Sequence, residues 1–381
     1  MKHSKKMSLA FAATAAVTGL VLSGCSSTPA DDTDSASGEL TPVKLQLQWL
    51  TQAQFAGYYA ALDQGFYEDE GLDVEIVQGG GDIVPQDALA GGDVDYAISW
   101  VPKVLGSIQN GANITDVAQI FERSATLQVS FKDAGIESVA DLAGKTIGSW
   151  GFGNEWELYA GLNKAGITDD VTVVSQAFDM SALLSGDIDA AQAMTYNEYA
   201  QLLETENPET GELYTADDFN VIDWNDEGTS MLQDAIWADT AKLADDEDYA
   251  DQTVAFIKAS IKGWAYARDN AEEAAGIVTA AGSTLGTSHQ LWMTNEVNKL
   301  IWPSTTGGVG TIDEAAWQAT VDMALKTSNE TGATIITEEP PATAYSNEYV
   351  EKALAELAEE GVDVTGDSFV PLEVTLNPAG A

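Results

Sequence analysis

Two short segments carry side chains able to hold a small flat molecule. Trp100-Val101-Pro102 follows the stretch Leu89-Ala90-Gly91-Gly92-Asp93-Val94-Asp95-Tyr96-Ala97-Ile98-Ser99. Thr195-Tyr196-Asn197-Glu198-Tyr199 follows Gly186-Asp187-Ile188-Asp189-Ala190-Ala191-Gln192-Ala193-Met194. The two upstream stretches are one element written twice: a helix end, a glycine stop, an Asp-x-Asp turn and a strand of small residues. In open α/β sheets ligands bind beyond the carboxyl ends of strands, so the groups that follow each copy are expected to face each other across one cleft. Aromatic faces stack on heterocycles, and Asn and carboxylate groups pair with ring N–H, amino or hydroxyl groups. A further segment, Gly151-Phe152-Gly153-Asn154-Glu155, joins a strand to a helix, where free backbone N–H groups gather. It is not a phosphate cradle, because the Gly-x-Gly-x-x-Gly spacing is absent and Glu155 and Glu157 would repel a phosphate. Gly79-Gly80-Gly81-Asp82 reads as a turn that leaves room for a ligand.

Catalytic chemistry has little to work with. The chain has two His and one Cys in 381 residues, so a Ser–His–acid triad would have to use His289 and a metal site would have to be all carboxylate. No cofactor, metal or catalytic residue is expected. The 61 Asp and Glu against 16 Lys and Arg give a formal charge of −45, which excludes nucleic acid as a partner. Arg123 and Arg268 are the only arginines, and this scarcity demotes phosphates, sulfonates and nucleotides as ligands. Arg123 itself is expected to pair with Glu122 or another acid rather than to serve the cleft.

The first residues read as an address. Lys2, Lys5 and Lys6 precede an apolar run from Met7 to Leu22. Leu22-Ser23-Gly24-Cys25 then resembles the bacterial lipobox, whose Cys carries the lipid of the mature protein. Residues 1–25 are thus expected to be a lipoprotein signal peptide with Cys25 as the lipid attachment site. Residues 26–42, rich in Ser, Thr, Asp and Gly, are expected to be a flexible tether. The product would stand outside the cytoplasm, anchored to the cell membrane through Cys25.

Several elements must position the cleft. Strands are expected from Val43 to Trp49, Asp73 to Val77, Val94 to Ser99, Lys145 to Trp150 and Val171 to Val174, alternating with helices over Phe55–Leu62, from Pro85, and over Trp156–Ala165. That alternation predicts α/β lobes with largely parallel sheets. Beyond Gly228 the pattern turns helical, over Tyr249–Ala267, Ala271–Ala281 and Leu291–Ile301. A last helix spans Ser346–Glu360, with Ser346 as its N-cap.

Trp49, Gln54-Phe55-Ala56-Gly57-Tyr58-Tyr59-Ala60 and Gly65-Phe66-Tyr67-Glu68-Asp69-Glu70-Gly71-Leu72-Asp73-Val74 resemble the opening of bacterial solute-binding proteins related to the fungal thiamine-pyrimidine synthase. Asp141-Leu142-Ala143-Gly144-Lys145, Ala193 to Tyr199 and Ile301-Trp302-Pro303-Ser304 extend the resemblance over roughly residues 43–350. It implies the type II periplasmic-binding-protein fold: two α/β lobes, two hinge crossings and a clamp-like closure. Lobe 1 would comprise 43–130 and 232–345, lobe 2 would comprise 131–231, and 346–381 would be a C-terminal helix and tail. The crossings would fall near Val129–Asp133 and Thr229–Asp234. The resemblance further implies an ABC importer, with permease and ATPase subunits as partners.

The ligand set expected on this basis is Trp49, Gln54, Phe55, Tyr58, Trp100, Trp150, Asn154, Glu155, Tyr196, Asn197 and Glu198. Such a set suits a thiamine pyrimidine precursor first, with riboflavin or a sulfonate or nitrate as alternatives. A synthase-like enzyme is disfavoured, since the fungal chemistry consumes an active-site His and uses a Cys-rich segment.

Overall fold

The computed structural model describes residues 40–381; Cys25, the leader and most of the tether lie outside the described residues. The first strand of the described residues, β1 (Thr41–Gln46), takes in the last two residues of the expected tether, because Thr41 and Pro42 pair with Leu72 and Asp73 of β2 (Leu72–Val77). β3 (Tyr96–Trp100), β4 (Ile114–Gln119) and β10 (Asp234–Asp239) complete a five-stranded sheet of order β2-β1-β3-β10-β4. β1 runs parallel to β2 and β3, while β10 is antiparallel to both β3 and β4, so this sheet is mixed rather than largely parallel.

The second half carries β5 (Thr126–Phe131), β8 (Ala191–Met194) and β9 (Phe219–Asp223) in the antiparallel order β8-β5-β9. Beside them β6 (Thr146–Ser149) and β7 (Thr172–Ser175) form a parallel pair, with Ile147 bridging to Ala190 ahead of β8. β3 and β8, the two small-residue strands of the repeated element, are buried at every position. Ala, Ile and Ser leave neighbouring helices space to close on both faces.

β5 pairs only within the second sheet, so the chain changes sheets at residues 120–125, upstream of the expected Val129–Asp133; it returns at residues 224–233. The two passages are tied together. Glu157, at the start of the helix Trp156–Ala165, accepts the Ser124 hydroxyl (2.9 Å) and the Met231 N–H (2.6 Å). Gln233 Nε2 donates to Ser124 Oγ (2.9 Å) and Thr126 Oγ1 (2.7 Å). Burial pushes the Glu157 carboxyl up to about 7 against these stabilising donors.

The first half is thickened by helices. Ala56–Asp63 crosses Glu247–Asp269 at Gly57 and Gly263, where a Cβ on Gly263 would stand 2.0 Å from the Gly57 carbonyl oxygen. Only hydrogen at that position allows this approach. The last helix runs Glu348–Glu360, and its N-cap is Asn347; Ser346 still contributes by accepting the Glu348 N–H at 3.2 Å. Tyr349, Val350, Ala353 and Leu357 join the same buried cluster as Ile257 and Ile261, so this helix is part of the first half's core and not an appendage.

Candidate functional site

A cavity of about 470 Å3 opens where the loops after six strands meet. From the first half, Gln48, Trp49, Gln52 and Gln54 follow β1; Gly80 to Gln86 follow β2; Ser99, Trp100 and Lys103 end β3 and begin the next helix. From the second half, Trp150, Phe152 and Asn154 follow β6, Phe178 follows β7, Met194 ends β8, and Tyr196, Asn197 and Glu198 follow it. β1, β2, β3, β6 and β7 all lie in parallel pairs, so the walls gather at carboxyl ends of strands, where the loops are free to vary.

One carboxylate organises the first wall. Asp234, the first residue of β10, accepts Gln48 Nε2 (2.5 Å), Trp100 Nε1 (2.7 Å) and Gln54 Nε2 (3.0 Å). Burial pushes its carboxyl up to about 6, held from rising further by those three donors and by nearby Lys103. Lys103 is half-buried, with Nζ 4.6 Å from the centre of the Trp100 ring. Desolvation pushes its ammonium down to about 8, against the pull of Asp234 and Glu155.

The second wall centres on Glu198. Its carboxylate accepts the Met194 N–H (3.0 Å) and Asn197 Nδ2 (2.7 Å), and burial pushes it up to about 7. Gln192 on β8 secures the loop above: its carbonyl accepts the Trp150 N–H (3.1 Å) and its amide donates to the Asn154 carbonyl (2.5 Å). Phe178 reaches across the cavity, its ring 4.5 Å from Trp49 and 6.0 Å from Trp150. Three consecutive left-handed residues, Gly151, Phe152 and Gly153 (φ 67°, 55° and 88°), turn Phe152 outward until it is 90% exposed at the cavity mouth.

Of the residues expected from sequence, Trp49, Gln54, Trp100, Trp150, Asn154, Tyr196, Asn197 and Glu198 are brought together on this cavity. Phe55 and Tyr58 are not. Both are buried in the core of the first half, Tyr58 edge-on to Trp264 at 5.5 Å, where the helix Glu247–Asp269 packs over them. Glu155 is also displaced from the wall: its carboxylate folds back to accept the Gly153 N–H at 2.8 Å. Among the described residues Arg123 pairs with no acid; it donates to the carbonyls of Leu300 (3.2 Å) and Pro303 (2.8 Å). Sequence reasoning missed Gln48, Lys103, Phe178 and the organising Asp234. The Gln48-Trp49 and Trp100-to-Lys103 spacings offered a signal for two of them, while Asp234 and Phe178 become neighbours only through the fold.

Among the described residues no helix is long and apolar enough to cross a membrane. A family model described as NMT1/THI5 like matches residues 52–274. The formylaminopyrimidine-binding protein of Halalkalibacterium halodurans is 26% identical over 266 residues, covering 68% of this chain and 75% of that protein. The riboflavin-binding protein RibY of Chloroflexus aurantiacus is 28% identical over 246 residues, covering 63% of this chain and 66% of its own length. The alkanesulfonate-binding protein SsuA of Xanthomonas axonopodis pv. citri, solved bound to MOPS, has a TM-score of 0.58 at 15% identity over 81% of this chain and 99% of that one. The fold is that of the periplasmic binding proteins.

Proposed function

The chain belongs to the NMT1/THI5-like family, and we propose that this member is the extracytoplasmic solute-binding component of an ABC importer, capturing a small aromatic heterocycle of the aminopyrimidine type between its two halves. The observation that carries this reading is the meeting of Trp49, Trp100, Trp150 and Phe178 with the Asn197–Glu198 pair in one cavity. The rings supply stacking faces. A carboxyl held near 7 matches an aminopyrimidine edge in either protonation state, accepting from the exocyclic amino group or donating to a ring nitrogen. Lys103 adds a donor for an acceptor group on the ring's substituent.

Riboflavin is the second reading. The cavity, at about 470 Å3, leaves room beyond a single six-membered ring. A sulfonate fits less well, since the wall offers Lys103 but no arginine fork and places Glu198 opposite.

In this reading the protein is a carrier and not a synthase, because His289 is buried and already engaged on both ring nitrogens and the sole Cys is Cys25. Cys25 would hold the lipid that tethers the carrier beside its permease and ATPase partners, and the passages at 120–125 and 224–233 would serve as the hinge. A thermal-shift screen against aminopyrimidines, riboflavin, sulfonates and nitrate tests the ligand class, since ligand at about 100-fold its Kd stabilises by about 2.7 kcal/mol. Stabilisation by a 4-aminopyrimidine is expected; stabilisation by an inorganic anion alone overturns the reading.

A further inference from the structure

We propose that His289, backed by Glu204, is a positioning residue for the ligand site, acting from the first half of the molecule on the Asn197–Glu198 pair of the second. The proposal rests on the ligand reading above only for its binding readout. His289 lies on the helix Thr287–Ile301 and is 1% exposed. Its Nε2 stands 3.0 Å from Asn197 Oδ1 and its Nδ1 stands 2.5 Å from Glu204 Oε1. Asn197 Nδ2 in turn donates to Glu198 Oε1 at 2.7 Å.

With Glu198 ionised, the donors and acceptors of this chain follow from that end. A carboxylate at 198 requires the amide N–H of Asn197, which turns the amide oxygen toward His289. That oxygen requires a proton on Nε2. Nδ1 and the Glu204 carboxyl then share a further proton, whichever of them carries it. Were Nε2 bare, Asn197 Oδ1 would face a lone pair and keep only Gln201 Nε2, at 3.5 Å, so the amide would lose the bond that orients its N–H toward Glu198.

Both sides of the imidazole are held in place. Trp292 Nε1 donates to the Thr195 carbonyl (3.0 Å), fixing the helix against the loop after β8. The Ala379 N–H donates to the Glu204 carbonyl oxygen (3.2 Å), and the Asn377 N–H to Ser288 Oγ (3.1 Å), so the last residues cover the pair. Glu204 is the acidic side chain that faces the ring directly.

The test compares His289→Gln, whose amide N–H can replace Nε2–H, with His289→Leu, which cannot, by calorimetric titration with 4-amino-5-hydroxymethyl-2-methylpyrimidine. His289→Leu should bind about tenfold more weakly than the full wild-type chain, and His289→Gln within about threefold of it. Equal affinities for the two variants, whether both intact or both weakened, overturn the proposal. Nitrogen-15 spectra of the imidazole in the ligand-free chain, with the His3 signal identified by its persistence in His289→Gln, should show Nε2 protonated. If the wild type binds no heterocycle, the ligand reading fails while these spectra still decide the positioning role, and an unprotonated Nε2 overturns it.

Discussion

Asp234 and Glu198 are both buried carboxylates, one serving each wall of the cavity, and the fold uses them differently. Asp234 accepts from three side-chain donors, two on Oδ1 and one on Oδ2. Glu198 accepts one backbone N–H and one amide N–H, and it lies on the cavity wall. A carboxylate with three of its roughly four acceptor sites held by side chains builds a wall, and one with two sites spare addresses what the wall encloses. Burial raises both toward neutrality, so the proton does not distinguish them; the count of donors does.

Removing each carboxylate should therefore register in different measurements. Asp234→Ala leaves two buried donors, on Gln54 and Trp100, and the half-buried Gln48 amide unpaired, and is expected to reduce unfolding free energy by about 3–5 kcal/mol in urea titrations. Glu198→Ala should cost about 2–3 kcal/mol of binding, roughly a 30- to 150-fold rise in Kd, with a smaller change in stability. If Glu198→Ala unfolds the protein while Asp234→Ala mainly weakens binding, the division of roles is wrong.

The pH dependence sharpens the same contrast. A carboxyl whose pKa is higher folded than unfolded keeps its proton longer in the native state, so the native state binds more protons between the two values and stability falls as pH rises through that window. Asp234 covers roughly 4 to 6, and Glu157 and Glu198 roughly 4.5 to 7. Ligand-free protein should lose stability from pH 4.5 to 7, at up to about 1.4 kcal/mol per unit of pH for each group. Glu198→Gln should flatten that slope by one group's share, while an unchanged slope would place the Glu198 proton elsewhere.

The smallest expected effect concerns the rim. Phe152 holds a left-handed backbone with its side chain in solvent, a conformation that costs a non-glycine residue about 1–2 kcal/mol. Phe152→Gly removes that strain but loosens the unfolded chain, so a net stabilisation of about 0.5 kcal/mol is expected in thermal unfolding. A destabilisation of 1 kcal/mol or more would show that the exposed ring makes a contact that the fold depends on.

Much of this was legible in the sequence. The repeated Gly-Asp-x-Asp element placed β3 and β8 and, with them, Trp100, Tyr196, Asn197 and Glu198, because glycine stops and small-residue strands have local causes. The helix Trp156–Ala165 followed from its period, and in the structure the left-handed Gly166 ends it. Phe55 and Tyr58 were misread because aromatic residues beside a strand end satisfy a core as well as a cleft; the helix Glu247–Asp269, some 190 residues onward, decided for the core. The sheet changeover was misplaced because β5 is as apolar as a strand of either half, and only its pairing with β8 and β9 assigns it.

The sequence by itself determined an acidic α/β protein with a repeated strand-end motif, few histidine or thiol groups and an aromatic, amide and carboxylate set that the fold gathers on one cavity. Those properties reside in residue types and short spacings, which act through local backbone preference and side-chain chemistry. The tertiary structure alone decided which aromatics face the cavity, that Asp234 gathers Gln48, Gln54 and Trp100 from up to 186 residues away, and that His289 meets Asn197 across 92. Hydrogen bonds act over about 3 Å whatever the separation along the chain, so such partners are set by packing of whole elements and leave no local mark in the sequence.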